Sequence, residues 1–100
     1  MIRPMQCVLS PLAELDLEDI GDYIARDNPS RAVSFIQEIR EQCAKIAATP
    51  LAASLRHEFG EGIRMVPFKH YLIFYTVDAE SIRIERILHG ACNIPALFEA

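Results

Sequence analysis

Between residues 11 and 48, hydrophobic positions recur at helical spacing in two blocks separated by Asn28-Pro29. The stripe of the first block is Ala13, Leu17, Ile20 and Ile24. Ser10 is a suitable N-cap with Pro11 at the first helical position, and the helix should end near Asp27 because Pro29 cannot continue it.

The second block predicts a longer helix that begins at the Asn28 cap and ends at Thr49-Pro50. Its stripe is Ala32, Phe35, Ile36, Ile39, Cys43 and Ile46. So short a joint between two amphipathic helices is typical of an antiparallel hairpin.

The remaining hydrophobic segments are short and rich in β-branched and aromatic residues, which predicts strands. The predicted strands are residues 5–9, 63–68, 71–77 and 82–88, with a loop at 51–62 and a hairpin turn at 78–81. The third is apolar on both faces and should be central. We predict an α+β fold in one domain, residues 1–100: a strand, a helical hairpin covering a sheet face, a three-stranded antiparallel segment and a short C-terminal tail.

Charge and composition exclude several function classes. The net charge of −4, with acidic residues concentrated between 14 and 22, argues against direct nucleic-acid binding. The three cysteines are scattered, without the spacing of a metal site, so no metal or cofactor is expected. No apolar run approaches about 20 residues, so we expect no membrane span and a cytoplasmic location.

Three residues of the predicted sheet are candidates for chemistry. His89, beside Gly90 at the end of the last strand, has the side chain of a general acid or base, and it equally suits a structural or partner contact. Arg64 and Arg86 lie within strands. Arg86 has the alternation phase of apolar neighbours, so it should be paired or face a partner surface.

Apolar residues outside the core stripes point to partners. Leu12, Leu15 and Tyr23 widen the hydrophobic face of the first helix beyond the needs of one small core. Leu97 and Phe98, in the tail, should either dock on the domain or cover a partner.

Six short motifs, in this order and spacing, resemble the ParE branch of the ParE/RelE toxin superfamily. They are Leu-Ser-Pro-Leu-Ala-Glu at 9–14, Ile-Gly-Asp-Tyr-Ile-Ala at 20–25, Asp-Asn-Pro at 27–29, Gly-Ile-Arg at 62–64, Tyr-Leu-Ile-Phe-Tyr at 71–75 and Ile-Leu-His-Gly at 87–90. The resemblance implies a toxin of a type II toxin–antitoxin pair, bound and neutralised by a ParD-like antitoxin in a hetero-oligomer, and inhibiting DNA gyrase.

RelE-like relatives instead cleave messenger RNA on the ribosome, and the resemblance argues against that activity here. Where those nucleases carry two arginines and an aromatic hydroxyl, this chain has Leu72, Cys92 and Phe98. It also has Cys92-Asn93 where ParE-like tails usually have Arg-Asp. We therefore expect no catalytic residue.

The resemblance leads to two groups of predicted contact residues. We expect the antitoxin to bind Leu12, Leu15 and Tyr23. The target should be contacted by Arg64, Arg86, His89, Cys92, Asn93, Leu97 and Phe98. Two alternatives stay open: a ribosome-dependent endoribonuclease using Arg64, Arg86 and His89, and a non-toxic protein that only binds the antitoxin.

Overall fold

Two α-helices and four β-strands form the part of the chain that the computed structural model describes, residues 5–91. Their order is β1 (Gln6–Leu9), α1 (Pro11–Ala25), α2 (Pro29–Ala48), β2 (Arg64–Phe68), β3 (Tyr71–Val77) and β4 (Ser81–His89), with a short 3-10 helix, His57–Phe59, before β2. Every predicted helix and strand is present, with ends that differ by one or two residues. The predicted α+β class is confirmed.

The strands form one mixed sheet in the order β1-β4-β3-β2. β2, β3 and β4 are antiparallel, as predicted, and β3 is an interior strand. β1 joins β4 in parallel, so the sheet has four strands rather than an antiparallel set of three. The sequence did not show this because a parallel partner lies beyond a long crossover, here formed by both helices, β2 and β3.

Both helices begin at their predicted caps. The Ser10 hydroxyl accepts a hydrogen bond from the Ala13 amide, and the Asn28 side chain accepts one from the Arg31 amide. These bonds satisfy amides that have no partner within the first turn. A three-residue joint turns α2 back along α1. A Cβ at Gly21 would lie only 3.6 Å from the Ile36 side chain, which shows how closely the helices approach.

The helical hairpin packs on one face of the sheet. Its buried stripes contact the strand residues Ile73, Tyr75, Ile82, Ile84 and Ile87. A second, smaller cluster of buried residues contains Ile63, Phe74 and Leu88. The ring of Phe59 packs edge-on against that of Phe74, with the ring centroids 5.2 Å apart. β3, which contributes Ile73 and Tyr75 to one cluster and Phe74 to the other, is therefore apolar on both faces.

A β-bulge interrupts the alternation of β4. Tyr75 pairs with Ile84 and Phe74 pairs with Arg86, so Glu85 is the extra residue on β4. A bulge shifts the inward–outward pattern of the residues that follow it. The sequence pattern predicts a regular strand, in which Arg86 would share a face with Ile82 and Ile84. Because of the bulge, that alternation does not continue to Arg86.

Candidate functional site

A cleft of about 770 Å³ lies where the joint between the helices meets the end of the sheet. Its walls come from the end of α1, the start of α2, the β2–β3 turn and the last residue of β4. The lining residues are Tyr23, Ile24, Arg31, Phe35, Lys69, His70, Tyr71 and His89. α1 and α2 each contribute two of these residues, and the others come from the sheet and its β2–β3 turn.

Two histidines meet at this cleft. Tyr71 pairs with His89 across β3 and β4, and the rings of His70 and His89 stack with centroids 6.3 Å apart. The Gly90 amide donates to the His70 carbonyl at 2.9 Å. The Ala91 amide donates to Nδ1 of His89 at 3.1 Å, so a neutral His89 ring carries its proton on Nε2.

Lys69 is held in an unfavourable backbone conformation at the rim. Its φ of 54° lies in the left-handed region, which costs a residue with a side chain of order 1 kcal/mol. Together with His70 it forms the tight turn between β2 and β3. Strain of this kind gathers at functional sites, and here it places an ammonium group and an imidazole at the cleft.

One carboxylate orients the two permanent cations of the cleft. Glu38 pairs with Arg31 at 2.5 Å and with Lys69 at 3.6 Å. The hydrogen bond from Arg31, more than the nearby Lys69, holds the pKa of Glu38 below its ordinary value. The two cations outnumber this single carboxylate, so the rim is cationic.

The rings of Phe35 and Tyr71 line the floor of the cleft, and Phe68 packs beside Phe35. The ring of Phe35 lies 5.9 Å from that of Phe68 and 5.7 Å from that of Tyr71. The Arg31 guanidinium lies over Phe35 at 5.1 Å, and the Lys69 ammonium over Phe68 at 5.7 Å. An apolar floor under a cationic rim suits an acidic or aromatic side chain from a partner.

Arg86 forms an ion pair with Asp16 of α1. Its Nε and Nη2 donate to the two carboxylate oxygens at 2.8 and 2.9 Å. The Ile87 amide donates to the same carboxylate at 2.9 Å. Because β1 pairs with β4 only as far as Ile84, Asp16 supplies an acceptor beyond the end of that pairing. Arg86 is therefore paired within the protein, and its contact with a target stays a prediction.

Arg64 holds the loop before β2 to the sheet. Its guanidinium donates to the Ala53 carbonyl, and its cross-strand partner Tyr75 donates its phenol proton to the Pro50 carbonyl at 2.8 Å. Burial raises the pKa of Tyr75, although the nearby Arg64 opposes this shift. Within this loop, residues 60–63 form a turn in which the Ile63 amide donates to the Gly60 carbonyl at 3.3 Å. A target contact for Arg64 also stays a prediction.

The outer side of α1 is exposed and partly apolar. Leu12, Leu15 and Tyr23 expose 55%, 54% and 67% of their surface. At about 100° per residue, these three side chains fall within an arc of about 80°. Asp19 lies within this arc, and Asp22 and Glu18 lie beyond its Leu15 edge; all three are exposed.

The structure brings together only part of the predicted site. Tyr23 and His89, predicted to serve different partners, line one cleft. Arg64 lies near the opposite end of β3 from His89, because it pairs with Tyr75 while Tyr71 pairs with His89. The tail positions Cys92, Asn93, Leu97 and Phe98 lie outside the described residues.

Sequence reasoning missed His70 as a neighbour of His89, although their positions contained a signal. His70 directly precedes β3, and antiparallel pairing brings the start of β3 to the end of β4. Within residues 5–91 no cluster of three or more His, Cys, Asp or Glu could hold a metal. No helix in the same range is long and apolar enough to cross a membrane.

Comparison with known proteins assigns this arrangement to a family. A family model described as the ParE toxin of the type II toxin–antitoxin system parDE matches residues 7–94. A solved structure described as the chromosomal ParDE TA system from P. aeruginosa matches with a TM-score of 0.74 and 24% identity, covering 86% of this chain and 96% of that chain. No protein with curated annotation matches. The structural likeness supports the fold, and the family model supports the family.

Proposed function

The chain belongs to the ParE toxin family of type II toxin–antitoxin systems, and we propose that it acts by binding DNA gyrase and is neutralised by a cognate ParD-like antitoxin. In this proposal it is a cytoplasmic, single-domain protein that needs no cofactor and performs no catalytic step. The observation that carries the proposal is that Tyr23 and His89 line the same cleft. An antitoxin covering Tyr23 would cover the target-binding surface as well.

The chemistry of the antitoxin segment follows from the outer side of α1. An apolar stripe interrupted by Asp19 and bordered along one edge by Glu18 and Asp22 suits an amphipathic segment with apolar anchors and nearby lysines or arginines. Such a segment would run along α1 from Leu12 towards Tyr23 and end at the cleft. Neutralisation would then need no change in the shape of the toxin.

The target contact combines the cleft with the residues that follow it. His89, Lys69 and Arg31 supply donors and cations. The predicted contacts Cys92, Asn93, Leu97 and Phe98 follow His89 in the sequence. An acidic or aromatic side chain of gyrase would fit between the cationic rim and the aromatic floor.

Gyrase supercoiling, titrated with the purified protein, tests the proposal. We expect supercoiling to fall with added toxin and to recover with an equimolar amount of the cognate antitoxin. His89→Ala and Lys69→Ala should weaken inhibition at least tenfold, by the reasoning that few contacts dominate an interface. The matched control is Leu51→Ala, an exposed residue beyond the far end of α2. Normal supercoiling at saturating toxin would contradict the proposal.

The tail tests the same proposal independently of the cleft. Deleting residues 94–100 should abolish growth inhibition and leave antitoxin binding intact. The double change Cys92→Arg and Asn93→Asp should strengthen inhibition if the charged pair usual in ParE-like tails contacts gyrase. If expression without antitoxin leaves growth unimpaired, the protein is instead a non-toxic antitoxin binder.

The adjacent histidines favour one second candidate, a ribosome-dependent endoribonuclease. His70 and His89 lie side by side with the cations Arg31 and Lys69 nearby, and such groups could move protons and balance charge on a phosphate. Primer extension on messenger RNA from translating ribosomes discriminates between the candidates. New cleavage sites that disappear in His70→Ala and His89→Ala would establish the nuclease, and intact RNA would exclude it.

A further inference from the structure

Two cysteines far apart in the sequence meet between β1 and α2. Cys43 lies on the buried side of α2, only 4% exposed, and Cys7 is half-buried on β1. Both line a small cavity of about 160 Å³, and their thiols are within hydrogen-bonding reach of each other. A backbone bond from the Met5 amide to the Ala47 carbonyl, 3.3 Å long, fixes β1 beside this part of α2.

The two thiols differ in a way that suits stepwise oxidation. The hydrogen bond from Cys43 lowers the pKa of Cys7 to about 7, against the opposing effect of burial. The same contact and deeper burial raise the pKa of Cys43. At neutral pH Cys7 is therefore partly ionised and the more reactive of the two thiols, and it is also the more accessible.

We propose that Cys7 and Cys43 are a dithiol pair that a small disulfide, such as oxidised glutathione, converts into an intramolecular disulfide joining β1 to α2. The Cys7 thiolate attacks one sulfur of oxidised glutathione and releases one glutathione thiolate. The Cys43 thiol gives its proton to that thiolate and attacks the Cys7 sulfur, which expels the second glutathione. Two protein thiols are oxidised, and one glutathione disulfide is reduced to two thiols.

The folded structure favours formation of this cross-link. The two residues are separated by most of the helical hairpin in sequence, so in the unfolded chain they meet only by closing a long loop. In the folded protein the sheet and α2 already hold them together. Closure should therefore be much faster from the folded state than from the unfolded state.

The experiment uses the full chain carrying Cys92→Ser, so that the cysteine outside the described residues cannot compete. The folded protein is incubated with oxidised glutathione at neutral pH and followed by intact mass. We expect loss of two hydrogen atoms and of both alkylatable thiols, with a Cys7–Cys43 peptide after digestion. The same protein in urea should close at least tenfold more slowly.

Single variants separate the two roles. Cys43→Ala should stop at a mixed disulfide on Cys7, and Cys7→Ala should react slowly because Cys43 is buried. The rate of Cys7 alkylation should reach half its maximum near pH 7 in the Cys92→Ser protein. In Cys43→Ala this midpoint should move to higher pH, because the hydrogen bond that lowers the pKa of Cys7 is lost. The proposal is overturned if the folded Cys92→Ser protein accumulates only the mixed disulfide, stays unreactive, or closes no faster than in urea.

Discussion

The two sides of α1 carry similar residues in very different surroundings. Leu17, on the inner side, is 6% exposed, whereas Leu15, two positions earlier, is 54% exposed. Asp16 is buried against Arg86, while Asp19, one turn later, is exposed. Residue type alone therefore does not tell which side of this helix serves the fold and which remains available to a partner.

The difference teaches how the stability and the binding surface of the protein are divided. The inner side is fixed by core packing and by the bidentate ion pair to β4. The exposed outer leucines add little to folding, because their surface stays in contact with water. If this division is correct, changes on the inner side should lower the free energy of unfolding, and changes on the outer side should affect mainly partner binding.

The largest effect should come from Asp16→Ala. This change removes the carboxylate that pairs with the mostly buried Arg86 guanidinium and accepts a hydrogen bond from the Ile87 amide. Removing one partner of a buried pair typically costs about 3–5 kcal/mol. We expect the free energy of unfolding, from urea denaturation, to fall by that amount.

Asp19→Ala is the matched control for this change, because it removes a carboxylate from the exposed side of the same helix. Its effect should stay within about 0.5 kcal/mol. Equal losses for Asp16→Ala and Asp19→Ala would mean that helix electrostatics, not the pair with Arg86, accounts for the cost.

Truncating the two leucines is the next test of the comparison. Leu17→Ala leaves a cavity in the helix-side cluster and should cost about 2–5 kcal/mol. Leu15→Ala removes mostly exposed surface and should cost about 0.5 kcal/mol or less. Urea denaturation midpoints, with the m-value unchanged, would measure the loss of stability in each variant. Similar losses for Leu17→Ala and Leu15→Ala would refute the division between the two sides of α1.

Periodicity predicted the elements of the fold because both helices are amphipathic and have clear caps at Ser10 and Asn28. Two features were not predictable from local pattern. The parallel pairing of β1 with β4 depends on a contact between distant segments. The bulge at Glu85 has no distinctive sequence signal, and it shifts the alternation of every later residue in β4.

The candidate site was predicted less completely than the fold. The exposure of Leu12, Leu15 and Tyr23 matches the surplus of apolar residues on α1 that the sequence indicated. The cleft was missed because four separate segments of the chain build it. Only the register of the sheet, which pairs Tyr71 with His89, brings these segments together. Pairing was one of two alternatives predicted for Arg86, and its partner Asp16, in the acidic run of α1, was not predicted.

A smaller effect, on binding rather than folding, is expected for Leu15→Glu. An added carboxylate in the apolar stripe should weaken antitoxin binding about tenfold to a hundredfold, or about 1–3 kcal/mol, if Leu15 is an anchor. Calorimetry with the cognate antitoxin measures this loss. Val33→Glu, at a more exposed apolar position on α2, is the control. Unchanged affinity in folded Leu15→Glu protein would place the antitoxin on another surface.

The smallest effect concerns an uncharged hydrogen bond in the core outside α1. The Tyr75 hydroxyl donates this bond to the Pro50 carbonyl. Tyr75→Phe removes this bond with little change in packing, so the free energy of unfolding at pH 7 should fall by about 1 kcal/mol. Tyr23→Phe, at an exposed position, should change it by about 0.5 kcal/mol or less.

The difference in free energy of unfolding between the native protein and Tyr75→Phe should depend on pH, which tests the burial of the Tyr75 phenol separately. Burial raises the pKa of Tyr75 in the folded state above the unfolded value of about 10. Its contribution is therefore complete below that unfolded pKa and is lost as the pH rises through the folded pKa, because the unfolded chain releases the proton first. The stability advantage of the native protein over Tyr75→Phe should shrink in that alkaline range and stay constant below it. A difference that is flat across the whole range would show that the phenol is not buried in solution.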